Sequence, residues 1–157
     1  SEIKLQGEAL VVEDNLIMGA YLLKIGRLEL RRDLERVYAI FPKLAERRGQ
    51  AAGTMSGGEQ QMCAIGRGLM SKPRLLMIDE LSLGLSPLLV EQLLEALVKL
   101  NREGLSIFIV EQDVMTALEV SSTGYVMDTG RVVRHGPSKA LLKDPAIREA
   151  YMGALAG

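Results

Sequence analysis

Two short apolar runs, Leu75-Leu76-Met77-Ile78 and Leu105 to Val110, stand either side of a segment with helical spacing, and that order leaves few folds open. Arg74 to Asp79 reads as a strand because its apolar run is bounded by Pro73 on one side and by Asp79-Glu80 on the other. A run that is apolar at every position predicts a strand buried on both faces. Ser86-Pro87 is a cap followed by a first-turn proline, so a helix opens there and continues to Arg102, with Gly104 ending it. Leu105 to Val110 then reads as a second buried strand. Val114 to Val120 predicts a short helix and Tyr125 to Met127 a third strand, which Asp128-Thr129-Gly130 turns back into Arg131-Val132-Val133-Arg134 as a hairpin. Short helices near Ser138–Leu142 and Pro145–Met152 follow. Strand, helix, strand, helix, strand is the order of an α/β fold, a parallel sheet with helices over it.

Upstream the period changes. Leu16, Ala20 and Leu23, then Leu30, Leu34, Val37, Tyr38 and Phe41, recur at three- and four-residue steps and predict helices. Pro42 interrupts the second of these, and residues 43–55, with their charges and glycines, read as a loop. Ser56 starts a further helix, which Ser71-Lys72-Pro73 stops near Met70. The chain therefore divides into a poorly determined lead-in over 1–11, a helical subdomain over 12–72 and an α/β part over 73–157.

Composition removes several functions. Nineteen basic against twenty acidic residues leave a net charge of −1, and no basic cluster suits a nucleic-acid groove. One cysteine, Cys63, excludes an internal disulfide and reads as a small buried apolar residue. The single His135, before Gly136-Pro137, reads as a surface turn residue, and little remains to build a zinc site. The charges from Arg27 to Arg36 read as a solvated helix face. The sequence has no apolar run long enough to span a bilayer, and Ser1-Glu2-Ile3-Lys4 lacks the order of a signal peptide, so a cytoplasmic chain is expected, one that can still attach to a membrane protein.

Two places carry chemistry, and each has a plain reading beside a functional one. Ser56-Gly57-Gly58-Glu59 fits a capping box, in which the Ser hydroxyl and the Glu carboxylate satisfy each other's backbone N–H. Two consecutive glycines exceed what a cap needs, and they suit a helix N-terminus that an anion approaches closely. Asp79-Glu80 can be two solvated acids where a strand emerges. At the carboxyl end of a parallel strand they can equally hold a Mg²⁺ through its water shell and orient an attacking water. A phosphate loop, with glycines five apart followed by Lys and Ser or Thr, is not found: only Gly53 and Gly58 have that spacing, and Glu59-Gln60 follows them.

Taken together, Thr54 to Pro87 resembles the signature motif, Walker B strand and D-loop of ABC-type ATPases. Thr54-Met55-Ser56-Gly57-Gly58-Glu59-Gln60-Gln61-Met62 and Ser82-Leu83-Gly84-Leu85 resemble the subunit serving high-affinity branched-chain amino acid uptake. Val12-Glu13-Asp14-Asn15-Leu16, Val110-Glu111-Gln112 and Gly124 to Val133 fit the same subfamily. The resemblance implies an incomplete P-loop NTPase core, with parallel strands and flanking helices, joined to the family's helical subdomain. It implies that Ser56, Gly57, Gly58 and Gln60 touch an ATP held by a second ABC ATPase chain. It makes Asp79 the support of Mg²⁺, Glu80 the general base, and Gln112 the residue at the switch position, where much of the superfamily has His. Membrane permease subunits are the implied further partners, on the inner face of the cell membrane.

Departures from the family pattern are Leu81 where Pro is usual, Val11 in place of a capping Thr, Gly68 in place of Ala, and Ser86 where the wider superfamily has a D-loop acid. The largest is the family's front portion, with its Walker A loop. Its absence leads us to expect no ATP turnover by these residues alone. It also leads us to expect open sheet edges that favour a strand-exchanged or self-associated form over a monomer. The alternative function is a non-catalytic module that pairs with an intact ABC ATPase.

Overall fold

The computed structural model describes residues 10–152. Their contacts divide into two units, one of residues 10–77 and 82–108, the other of 78–81 and 109–152. In the first, the helices are α1 (Val12–Gly19), α2 (Arg27–Ile40), α3 (Pro42–Glu46), α4 (Gly57–Met70) and α5 (Pro87–Arg102). The strands β1 (Leu75–Asp79) and β2 (Ser106–Val110) pair with each other. The Ser106 N–H donates to the Arg74 carbonyl and the Glu80 N–H to the Val110 carbonyl, so the two strands run parallel as the crossover through α5 requires.

Small residues decide how the helices meet. A Cβ on Gly19 would lie 2.0 Å from the Arg67 carbonyl oxygen, and one on Gly66 would lie 2.8 Å from Leu16 and 2.9 Å from Val37. These glycines let α1 and α2 close onto α4, burying Val12, Leu16, Val37 and Leu44. Gly68 acts in the same way. Its missing Cβ would sit 3.2 Å from Leu76, so the departure from Ala lets α4 settle on the first strand. Val11 offers no side-chain cap to α1, but the Val12 and Glu13 N–H groups donate to the Gln50 and Arg48 carbonyls instead. The donors left by the lost hydroxyl are satisfied through the backbone.

Residues 43–55 were expected as a loop and carry two short elements, α3 and a 3₁₀ turn over Ala52–Thr54. Pro42 breaks α2 but occupies the first turn of α3, where its fixed φ and absent N–H cost nothing. Leu44 then anchors α3 by being fully buried. At the far end of α4, Lys72 stops the helix in a left-handed conformation, φ 52°, and its ammonium pairs with Glu29 and Asp33 of α2.

The expectation of strands buried on both faces is corrected for β1 and β2. Leu76 and Ile78 are buried, but Leu75 is 52% exposed, Met77 68% and Phe108 48%. Continuous apolarity shows that a strand can be covered on both sides. It does not show that the covering residues belong to the same stretch of sequence.

In the second unit β3 (Thr123–Asp128) and β4 (Arg131–Pro137) form an antiparallel hairpin with a bulge at Val126/Met127. Thr129 (φ 46°) and Gly130 (φ 74°) make the two-residue turn with positive φ at both positions that matches strand twist. Helices α6 (Val114–Val120), α7 (Ser138–Leu141) and α8 (Pro145–Met152) accompany it. Leu118, Val126, Leu141 and Ile147 form its core, and Gly124 makes room for Leu118, which a Cβ there would meet at 2.4 Å. His135 was expected in a turn. It lies within β4, exposed, its ring stacked on Tyr125 with centroids 5.7 Å apart.

Gly19→Ala is expected to destabilise the fold by about 1–3 kcal/mol through overpacking against backbone that cannot yield. Gly49→Ala, with open space around it, should change stability by less than about 0.5 kcal/mol. Urea unfolding of the two variants compares them directly.

Candidate functional site

The N-terminus of α4 is built by a reciprocal cap. The Ser56 Oγ accepts from the Glu59 N–H at 3.4 Å, while the Ser56 N–H and Oγ–H both donate to Glu59 Oε2 at 3.0 Å. Arg47 holds the other carboxylate oxygen, Nε to Oε1, at 2.8 Å. Burial raises the Glu59 pKa, but the two Ser56 hydrogen bonds and the Arg47 guanidinium outweigh it and hold the carboxyl below the usual range. Both readings of Ser56-Gly57-Gly58-Glu59 therefore share one geometry: the capping box is present, and it fixes an exposed first turn.

The residues of that turn are not equivalent. Ser56 and Gly57 are exposed, and a Cβ on Gly57 would meet only Leu85, at 3.8 Å. Gly58 is buried, and its small size serves this chain's own Leu89, whose Cδ1 lies 2.6 Å from where a Cβ would be. The close approach inferred for the second glycine is thus filled by α5. Gln60 turns its amide inward, donating to the Met55 carbonyl at 3.0 Å.

Beside this turn lies a groove of about 400 Å³, lined among others by Asn15, Gly57, Gln61, Arg67 and Leu85. Arg67 Nη1 donates to Asn15 Oδ1 at 3.4 Å across the two helices that carry them. Sequence reading did not single out Arg67. Its position ten residues along α4 from Gly57 sets it about 80° around the helix, so spacing does not join the two, and the groove they both line shows only in the fold.

In the other unit Glu80 and Gln112 come together. Gln112 Nε2 donates to Glu80 Oε1 at 2.6 Å, and the Glu80 N–H is tied to the Val110 carbonyl at 2.8 Å. Glu80 adopts φ 52°, a left-handed conformation that a residue with a Cβ rarely takes. Leu81 follows it with 1% exposure, so burial of this side chain offsets the strain one residue earlier. Asp79 is exposed at the end of β1, and among the described residues no three His, Cys, Asp or Glu side chains cluster into a metal cage. A lone carboxylate at a strand end fits Mg²⁺ only in the manner that ion prefers with nucleotides, one or two carboxylates completed by water and phosphate oxygens.

Because Glu59 titrates below the ordinary glutamate range near 4.3, its stabilising effect is full above that pH and is lost as pH falls through the lower, folded-state value. Ser56→Ala is expected to cost about 0.5–2 kcal/mol at neutral pH. The cost should shrink in acid, as chemical denaturation at several pH values would show.

A family model for ABC transporters matches residues 5–82. Over 144 residues the chain is 49% identical to the high-affinity branched-chain amino acid transport ATP-binding protein BraG of Pseudomonas aeruginosa, an alignment spanning 92% of this chain and 61% of that protein. It is 36% identical over 145 residues to a probable branched-chain amino acid transport ATP-binding protein LivF of Archaeoglobus fulgidus, across 92% of this chain and 61% of the relative. A crystal structure of an ATP-binding cassette of an ABC transporter, in its ADP conformation, matches with TM-score 0.77 at 25% identity, covering 95% of this chain and 65% of that one. The chain thus spans less than two thirds of each of these relatives. No helix among the described residues is long and apolar enough to cross a membrane. From a Ser-Gly-Gly-Glu helix start, an Asp-Glu strand end and these alignments, the chain belongs to the ABC transporter ATP-binding family.

Proposed function

We propose that these residues are part of the ATP-binding subunit of an importer for branched-chain amino acids, and that they act on nucleotide from two sides. The exposed Ser56-Gly57 turn addresses the phosphates of an ATP held by a second ABC ATPase chain. Asp79, Glu80 and Gln112 belong to the other, chain-own half of such a site. The observation that carries this reading is the first turn of α4. It presents exposed, unobstructed backbone at Gly57 on the positive end of a 14-residue helix, within a sequence 49% identical to BraG. Gly58 and Gln60 contribute less directly, the first by letting α5 pack under the turn and the second by bracing the Met55 carbonyl that leads into it.

In the chain-own half, Glu80 is the base and Gln112 is its positioning residue. The amide donates to one carboxylate oxygen and leaves the other to accept a proton from water. Since an amide does not titrate near neutral pH, the orientation it imposes is the same across the working range. Mg²⁺ bound with ATP would lie by Asp79, where it neutralises phosphate charge. ATP and Mg²⁺ are the family's cofactors. A second ATPase chain and membrane permease subunits are its partners, which places the assembled protein at the cytoplasmic face of the membrane.

A second reading is favoured by one feature of these residues, the lack of any Gly-x-x-x-x-Gly-Lys-Ser/Thr sequence. On that reading these 157 residues pair with an intact ATPase and contribute no turnover of their own. Both readings predict no Mg²⁺-dependent ATP turnover by the 157 residues alone, and turnover that disappears in Glu80→Gln would overturn them.

Mixing with intact BraG tests the trans site. The chain is expected to form an ATP-dependent complex and to alter the rate of phosphate release. Gly57→Asp should weaken the complex by about tenfold or more, because it sets a carboxylate against the phosphates while leaving the cap in place, an acid in the first turn being favourable to the helix. An unchanged rate and unchanged oligomeric state on mixing would sink the proposal.

A further inference from the structure

The cap of α4 engages the donors that a phosphate would need. Glu59 Oε2 accepts from both the Ser56 N–H and the Ser56 Oγ–H, each at 3.0 Å, so a carboxylate of this chain already occupies two donors of the exposed turn. An acid in the first turn favours the helix. It also carries the same sign of charge as a phosphate, and like charges brought together across an interface oppose association. Cap and ligand therefore compete for one helix end.

Arg47 is placed to settle that competition. It follows α3, whose Leu44 is fully buried, so its backbone is anchored. Its Nε meets Glu59 Oε1 at 2.8 Å, and its Nη1 donates to Gln50 Oε1 at 2.9 Å. Gln50 is held in turn: its Nε2 donates to Thr54 Oγ1 at 2.9 Å, its N–H donates to the Arg47 carbonyl at 2.8 Å, and its own carbonyl accepts the Val12 N–H at 3.0 Å. A lone pair of surface charges contributes little. This one differs, because the guanidinium is fixed by a second partner and the Glu59 side chain is only 14% exposed. Lys43 also acts on Glu59, but its ammonium is paired with Glu46 at 2.8 Å.

We propose that Arg47 is a positioning residue for the trans nucleotide site, neutralising Glu59 and holding its carboxylate so that Ser56 can release it in favour of a phosphate carried by the partner chain. This rests on the reading of the Ser56-Gly57 turn given above. On binding, the Ser56 Oγ–H passes from Glu59 Oε2 to a phosphate oxygen, and the guanidinium keeps the released carboxylate paired. Only hydrogen bonds change.

The test measures the ATP-dependent complex of the 157-residue chain with intact BraG by sedimentation, alongside urea unfolding of each variant alone. Arg47→Ala should weaken the complex by about fivefold or more, and Arg47→Lys, which keeps the charge, should stay within about twofold of the unaltered chain. Glu59→Gln keeps the capping-box pattern and removes the charge. It is expected to lower stability to urea and yet to strengthen the complex by about threefold or more, opposite signs that a merely structural role would not give. In the Glu59→Gln background, Arg47→Ala should cost less than about twofold, because the charge it neutralises is gone. A complex that Glu59→Gln weakens or leaves unchanged, or an Arg47→Ala effect equal in both backgrounds, overturns the proposal. If Gly57→Asp weakens the complex while Arg47→Ala and Glu59→Gln do not alter it, the trans site stands and the role of Arg47 falls. If the unaltered chain forms no ATP-dependent complex, both fall.

Discussion

A two-stranded parallel sheet has two faces to remove from water, and among the described residues the helices reach one of them. Much of the first unit follows from how that face is covered. α4 must lie close to Leu76, so Gly68 has no side chain. α1 and α2 must lie close to α4, so Gly19 and Gly66 have none. Each glycine costs about 1 kcal/mol of helix propensity relative to Ala in a helix interior. Burial of Leu16, Val37 and Leu44 against α4 offsets this, since a large aliphatic side chain contributes roughly 1.5–3 kcal/mol when fully buried. The glycines of α4 are accordingly packing residues at 58, 66 and 68 and a surface residue only at 57.

That packing also sets the direction of the functional turn. α4 is held along its length by close helix contacts and at its start by Ser56, Glu59 and Arg47. A ligand that meets the Gly57 N–H therefore meets a donor with little freedom left to lose. Preorganised backbone donors at a helix N-terminus bind anions without a dedicated cation, which suits the proposed site shared with another chain. Arg67, engaged with Asn15 on the groove wall, keeps a positive group on the same helix without placing it in the turn.

Much of this was legible in the residues. Ser86-Pro87 opens α5 and Gly104 closes it, Ser56 caps α4, and the Asp128 to Gly130 turn joins the hairpin, because caps and turns are local and a few side chains decide them. α3 was hidden because Pro42 both ends one helix and begins the next, and composition registers only the ending. Burial of β1 and β2 was misread for a different reason. Hydrophobicity records the tendency of a residue to be covered, and whether Met77 or Phe108 is covered depends on segments far from it in sequence. The roles of Gly58 and Gln60 were equally out of reach, since Leu89 and the Met55 carbonyl become their neighbours only after α5 has folded back beneath the turn.

Glu80 shows how a departure from the family pattern is absorbed. A proline at position 81 would push the residue before it toward extended backbone through the clash of its ring with that residue's N–H and Cβ. Leu81 removes that restriction, and Glu80 takes φ 52°. A left-handed conformation at a residue with a Cβ costs about 1–2 kcal/mol. Full burial of Leu81 recovers an amount of the same order. The exchange keeps the carboxylate within 2.6 Å of the Gln112 amide. Position 81 thus holds its neighbour by side-chain burial where a proline would hold it by backbone restriction, and the orientation of Glu80 depends on the packing around Leu81 as much as on the strand that precedes it.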